Sequence, residues 1–170
     1  MNAHPKMPNR IEPGTGQESV WDYPRPPRVE EVQKHVQVTL NGQIIADTRN
    51  AKRVLETAGA PVYYIPREDI QMDNISISQG RQTHCEWKGV ADYVDVSVGE
   101  ERVSRAGWYY KYPTPGYESI KDYIAFYAQK MEACYIDGEK VRPQPGYFYG
   151  GWVTDDIVGP FKGEPGTEAW

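Results

Sequence analysis

Cysteine is nearly missing from this chain: Cys85 and Cys134 are the only two among 170 residues. Two thiols make no disulfide framework, and no C-x-x-C pair occurs. A structural zinc needs four nitrogen or sulfur ligands, and only His4, His35 and His84 could join the thiols. No metal site and no cofactor are expected on these grounds. A dominant charge is missing as well, since 19 basic side chains are interspersed with 24 acidic ones. Without a basic run or stripe there is no footprint for a phosphate backbone, so nucleic acid is not an expected partner. No stretch approaches the roughly 18 apolar residues of a membrane span, and residues 1–13 hold no apolar core of signal-peptide length. The expectation is a cytoplasmic protein without a membrane partner. P-loop and dinucleotide glycine fingerprints are also absent.

Aromatic residues are present in quantity, 13 Tyr and 5 Trp against 3 Phe. Tyr and Trp join a large apolar body to a polar edge, which suits pocket walls, while strands favour aromatics for packing alone. The length fits one domain able to bury a core, and proline divides it into three parts. Residues 1–33 carry Pro5, Pro8, Pro13, Pro24, Pro26 and Pro27 and read as an extended arm, because proline fixes φ and removes a donor. Its apolar patch, Val20-Trp21-Asp22-Tyr23, is suited to lie across the body and cover an edge. Residues 143–170 alternate Pro143, Pro145, Pro160 and Pro165 with glycines, yet keep Tyr147, Phe148, Tyr149, Trp152 and Phe161. A disordered tail is poor in such residues, so this second arm is expected to be irregular but packed.

Residues 34–142 read as a β-rich core. Val36, Val38 and Leu40 alternate, Asn41-Gly42 offers a two-residue type I′ turn, and Ile44 resumes the apolar pattern. Pro61-Val-Tyr-Tyr-Ile-Pro66 is a short strand bracketed by prolines. Residues 91–98 alternate with period two, and Gly99-Glu100 turns the chain into a strand over 103–110. Cys134-Tyr-Ile136, a turn at Asp137-Gly138 and Lys140-Val141 make a second hairpin. Between them Ile120, Ile124, Tyr127 and Met131 fall at helical spacing, while residues 122–127 read equally as a strand.

The run Thr83-His84-Cys85-Glu86-Trp87-Lys88-Gly89 gathers a thiol, an imidazole, a carboxylate and an amine. A reactive cysteine acts as its thiolate, which a nearby cation favours. Neighbours on a strand point to opposite faces, so His84 is badly placed as a base for Cys85. Lys88 reaches back to the thiol only if Trp87-Lys88-Gly89 turns tightly. Two readings of Cys85 stand: a nucleophile whose pKa Lys88 lowers, or a buried thiol packing as a small hydrophobe. Cys134, beside Tyr135 and Ile136 in an apolar strand, reads as structural. Glu56 faces Lys88 either as part of an anion site or as an ordinary ion pair, which at a surface is worth little. Arg67-Glu68-Asp69 after Pro66 reads as the first turn of a helix with acids near its start, although Arg67 could also hold a carboxylate or phosphate.

These phrases, together with Glu18-Ser-Val-Trp-Asp-Tyr-Pro24, Ile45-Ala-Asp-Thr48, Tyr63-Tyr-Ile-Pro-Arg-Glu-Asp69, Tyr149-Gly-Gly-Trp152 and Gly159-Pro-Phe-Lys-Gly163, resemble the domain of unknown function 427 family from about residue 17 onward. Members of that family usually have proline after the cysteine; this chain has Glu86. The family sometimes carries a nucleotidyltransferase label, a chemistry that wants two or three carboxylates on magnesium shortly after a Gly-Gly or Gly-Ser turn. Gly150-Gly151 with Asp155-Asp156 matches only superficially, because adjacent side chains on a strand diverge and cannot share one metal.

The resemblance implies a mostly β, β-tent-like fold: two small antiparallel sheets at an angle with few short helical turns, as in methionine sulfoxide reductases. It favours a helical turn near residues 119–121 followed by a strand. Relatives of that fold often pin the sheets with a four-cysteine zinc, which this chain cannot build. Splayed sheets leave a cleft, where apolar pockets with a few polar groups occur. Trp87, Trp108, Tyr109, Tyr127 and Trp152 are its candidate walls and Tyr64, Arg67 and Lys88 its candidate polar groups, although the same aromatics would serve a plain core. Three functions follow as expectations. The first is a module that holds a small planar or anionic ligand through Tyr64, Arg67, Trp87, Trp108, Tyr127 and Trp152. The second is a cysteine-dependent enzyme using Cys85 and Lys88. The third is a scaffold that pairs with itself, as a homo-oligomer, or with another protein through the arms.

Overall fold

Asn41 and Gly42 stand at φ 48° and 76°, and the chain reverses there between two strands, as a type I′ turn demands. Asp137 and Gly138, at φ 48° and 81°, make the second such reversal. The computed structural model describes residues 9–146 and 148–170; His4, Pro5, Pro8 and Tyr147 lie outside the described residues.

From the N-terminal side, β1 (Glu18–Ser19) and β2 (Arg28–Glu31) belong to the proline-rich arm. The first hairpin is β3 (Val36–Leu40) and β4 (Gln43–Thr48), followed by β5 (Lys52–Leu55) and β6 (Val62–Tyr64). Two short strands, β7 (Ile75–Ile77) and β8 (Thr83–Cys85), precede the long hairpin of β9 (Gly89–Val98) and β10 (Glu101–Tyr110). Then come β11 (Ala125–Phe126), β12 (Ala133–Ile136) and β13 (Glu139–Lys140). The chain closes with β14 (Arg142–Pro143), β15 (Trp152–Val153) and β16 (Ile157–Val158).

The fold is mostly β and its sheets are small and antiparallel, as expected. The largest runs β11-β10-β9-β7, with β8 also on β9; a second runs β13-β12-β3-β4 and a third β2-β5-β6. Two-stranded pairs complete the set, β14 with β15 and, in parallel, β1 with β16. Helix is confined to 3-10 turns, among them Glu118–Ile120 ahead of β11 and Arg67–Asp69, where the chain makes one turn and returns to extended backbone. No helix of the described residues is long and apolar enough to cross a membrane.

Period-two alternation lets the β9–β10 hairpin serve two cores. Val94, Val96 and Val98 pack with Val36, Val38, Ile45, Ile65 and Phe126 in the main one. Ala91, Tyr93, Trp108 and Tyr110 face the other way, towards Val54, Tyr64 and Tyr127. A third cluster joins the arms: Val20, Trp21 and Tyr23 pack on Leu55, Ala58 and Ile157. Trp21 meets Trp170 edge to face at 5.3 Å and donates its indole N–H to the Pro160 carbonyl at 3.0 Å.

The long hairpin shifts register between Val103 and Gly107, and Asp95 holds that irregularity. Its side chain is 5 % exposed. One carboxylate oxygen accepts the Arg105 backbone N–H and the other the Arg102 guanidinium, each at 2.9 Å. Arg105 itself takes φ 51° and lays its guanidinium 3.8 Å from the centre of the Tyr93 ring. Burial alone would raise the Asp95 carboxyl, but the hydrogen bonds from Arg105 and Arg102 outweigh it and hold the group below its ordinary value. A lowered acid stabilises the fold in full above its unfolded pKa of about 3.9. That contribution disappears as pH falls through the lower folded value. Asp95→Asn is therefore expected to cost about 1–3 kcal/mol in urea unfolding at pH 7, and to flatten the acid side of the stability profile.

Candidate functional site

The site grows from a tight turn. β8 and β9 form a hairpin with Thr83 opposite Ala91, His84 opposite Val90 and Cys85 opposite Gly89. Residues 86–88 make the connection, and Gly89 takes φ 111°, a conformation that a side chain would strain. Thr114 ties the turn down: its N–H donates to the Lys88 carbonyl at 3.0 Å and its hydroxyl to the Trp87 carbonyl. Lys88 thus comes back towards Cys85, as only a tight turn allows. The register puts Thr83 and Cys85 on the Ala91–Tyr93 face of the sheet and His84 on the other. On that face the Thr83 and Tyr93 hydroxyls share a hydrogen bond of 2.9 Å.

A cleft of about 400 Å³ opens over this face. One wall is the large sheet, through Cys85, Ala91, Tyr93, Trp108 and Tyr110; another is the three-stranded sheet, through Val54, Val62 and Tyr64. The segment 56–60 and the C-terminal arm close the sides, the arm with Gln144, residues 148–151 and Lys162. Trp108 stands at the junction. Its indole N–H donates to the Tyr64 hydroxyl at 3.2 Å, and its ring lies 4.6 Å from that of Tyr127. Tyr127 in turn donates its hydroxyl to the Phe148 carbonyl at 3.1 Å, tying the arm to the cleft. The arm passes so close to the indole that a Cβ at Gly150 would overlap it. Gln144 is committed to structure: its side chain accepts the Ala60 N–H at 2.9 Å and donates to the Lys162 carbonyl at 2.8 Å.

Lys88 is partly buried in the cleft, its ammonium 6.0 Å from the centre of the Tyr110 ring. Burial works against its charge, but Tyr64, Cys85 and Glu56 facing it outweigh burial and raise its pKa above that of an ordinary lysine. The amine is therefore an ammonium at neutral pH. Glu56 is drawn to within 4.0 Å of the Arg25 guanidinium, and no ion pair to Lys88 forms among the described residues. Burial, reinforced by Tyr64 and Cys85, raises the Tyr110 hydroxyl, and burial raises Tyr64. Both phenols stay neutral, with Tyr110 hydrogen-bonded to Tyr64 and Cys85.

Of the residues singled out in the sequence, Tyr64, Cys85, Trp87, Lys88, Trp108 and Tyr127 line this one cleft; half-buried Glu56 and exposed Glu86 stand at its edge, and His84 borders it while its side chain takes the other face of the sheet. Arg67 and Trp152 do not line it. Arg67 donates to the Asp122 carbonyl at 2.7 Å and lies 4.6 Å over the Tyr109 ring, on the opposite face of β10. Trp152 is 1 % exposed in the main core, stacked on Tyr63 at 5.2 Å and donating to the Phe126 carbonyl at 3.0 Å. Alternation explains both: Tyr63 and Tyr109 point away from their neighbours Tyr64 and Trp108. Sequence reasoning missed Tyr93 and Tyr110, whose signal was spacing by two from Ala91 and Trp108. It also missed Gln144, which carried no signal, and Lys162, which was marked only as part of the phrase Gly159-Pro-Phe-Lys-Gly163. Asp155 and Asp156 turn to separate partners, Arg142 at 3.1 Å and Lys34 at 3.3 Å. No group of three or more His, Cys, Asp or Glu among the described residues is placed to hold a metal ion.

The two thiols differ sharply. Cys134 is 1 % exposed in β12, and burial pushes its pKa up, whereas Cys85 is only partly buried on the cleft wall. A thiol reagent added to the native protein is expected to modify Cys85 alone. Cys134 should react only in denaturant, which mass spectrometry of the labelled peptides would check.

Fold and site together define a mostly β protein whose aromatic cleft is walled by two small sheets. Residues 28–137 match the family described as Domain of unknown function (DUF427), and the chain belongs to it. The matched stretch holds both walls and the 86–88 turn, while the arm that closes one side lies beyond it. No curated protein matches the chain significantly.

Proposed function

We propose that this protein is a binding module that holds a small planar ligand in the aromatic cleft and sets an anionic group of that ligand against Lys88. Convergence carries the reading. Tyr64 on β6, Trp108 and Tyr110 on β10, and Tyr127 after β11 turn towards one cavity that also contains a charged lysine. Its size falls within the range of small-molecule pockets, about 300–1,000 Å³. Each well-placed ring against the ligand contributes about 0.5–1.5 kcal/mol beyond area burial. A charge-assisted hydrogen bond from Lys88 adds about 1.5–3 kcal/mol. The arms spend Trp21, Tyr23 and Ile157 on each other, which favours the cleft over a scaffold that pairs through them.

Isothermal titration with 2-naphthoate tests the reading, and saturable one-to-one binding is expected. Val62 is partly exposed on the wall, so Val62→Trp fills the cleft without disturbing the main core. That variant should keep its melting temperature and weaken binding by about tenfold or more, roughly 1.4 kcal/mol. Unchanged affinity in Val62→Trp would place the ligand elsewhere.

The shared face of Cys85 and Lys88 supports a second reading, a cysteine-dependent enzyme. Alkylation of Cys85 against pH in a Cys134→Ala background separates the two. A midpoint well below about 8.5 that Lys88→Met moves upward would establish an activated nucleophile. If Lys88→Met leaves the midpoint in place, Cys85 is part of the wall.

A further inference from the structure

We infer that the cleft selects planar monocarboxylates over both dianions and cations, with Lys88 taking the carboxylate and Glu56 opposing any second negative charge. The inference rests on the binding reading above and specifies the ligand. Lys88 is the cation of the 86–88 turn and lies partly buried against Tyr110. The acids that line the same cleft lie further out: Glu86 is exposed and the Glu56 side chain is 38 % exposed. The cation thus lies inside and these acids nearer solvent, and a pocket that holds an ammonium repels a second one although its rings alone would attract it.

The inner end has one full positive charge beside two neutral phenols. Tyr64 and Tyr110 are 1 % and 4 % exposed, and their hydroxyls stay protonated. A carboxylate matches that set, with one charge for the ammonium and no second charge to lie against neutral hydroxyls. A phosphate monoester above its second pKa of about 6 carries two charges. Lys88 cancels only one, and Glu56 is near enough to act on Lys88 and hence on whatever binds it. At a partly buried ammonium the uncompensated charge is costly. Lys162 offers no remedy at the inner end, since its ammonium lies 5.6 Å from the Tyr149 ring in the C-terminal arm.

Four probes that share one ring system test the inference by titration calorimetry at pH 8: 2-naphthoate, 2-naphthamide, 2-naphthyl phosphate and 2-naphthylmethylammonium. Naphthoate should bind about tenfold or more tightly than each of the others. Lys88→Met keeps the aliphatic stem and should remove the advantage of naphthoate over naphthamide while the amide binds as before. Glu56→Gln, at a half-exposed position, should recover much of the phosphate binding. Equal affinities for carboxylate and amide overturn the selection and leave the cleft reading standing. Tightest binding of the phosphate overturns the monoanion rule. Failure of all four probes removes the binding reading as well.

Discussion

The register of the β9–β10 hairpin is the constraint on which the rest depends. Slipping one strand by a single residue would turn Trp108 and Tyr110 into the main core and Tyr109 into the cleft, because strand side chains alternate strictly. The chain holds register by burying a carboxylate. Asp95 is nearly inaccessible and is satisfied by the Arg105 N–H and the Arg102 guanidinium at the point where the strands lose step. A neutral residue of similar size would leave those donors without their charged acceptor. Polar burial thus helps maintain a fold whose described residues include two free cysteines and no cluster of metal-ligating side chains to pin its sheets.

From that register the cleft follows. Tyr93 opposite Trp108 and Ala91 opposite Tyr110 set the aromatic wall, and Cys85 joins it because the three-residue turn returns β8 in phase. The neighbouring three-stranded sheet supplies Val54, Val62 and Tyr64 by the same alternation, with Val54 opposite Val62. Lys88 is the charged group set among the aromatic rings of that lining. Its pKa stays above that of an ordinary lysine despite partial burial, with Tyr64, Cys85 and Glu56 facing it. An arrangement that keeps a lysine charged among aromatic rings is more than packing needs, since a methionine would fill the same space at lower cost.

Much of this was legible in the sequence, and the boundary between what was and what was not is physical. Asn41-Gly42 and Asp137-Gly138 announced their turns because turn chemistry is local. Lys88 and Cys85 could be paired for the same reason, as four residues and one glycine decide whether they meet. Trp152 and Arg67 were misplaced because nothing local says which face of a sheet becomes the cleft. The neighbouring aromatics Tyr63 and Tyr64, like Trp108 and Tyr109, look alike in sequence and point apart in space. The helical spacing of Ile120, Ile124, Tyr127 and Met131 marked four buried positions. They belong to a 3-10 turn, a single bridge to Ile65 and a loop rather than to one helix. Burial had a period there without regular structure.

The division of the cleft between two parts of the chain has an evolutionary consequence. Its walls and its lysine belong to strands whose pairing holds the fold together, so changes there are constrained by stability. The side formed by residues 148–151 and Lys162 lies on a strip that crosses Trp108 with backbone and glycine, without joining the large sheet. A substitution or insertion in that strip can alter the outline of the cavity while every ladder of the large sheet stays intact. Relatives that share the strands can therefore diverge in what they accept by remodelling one irregular segment, with the framework inherited unchanged.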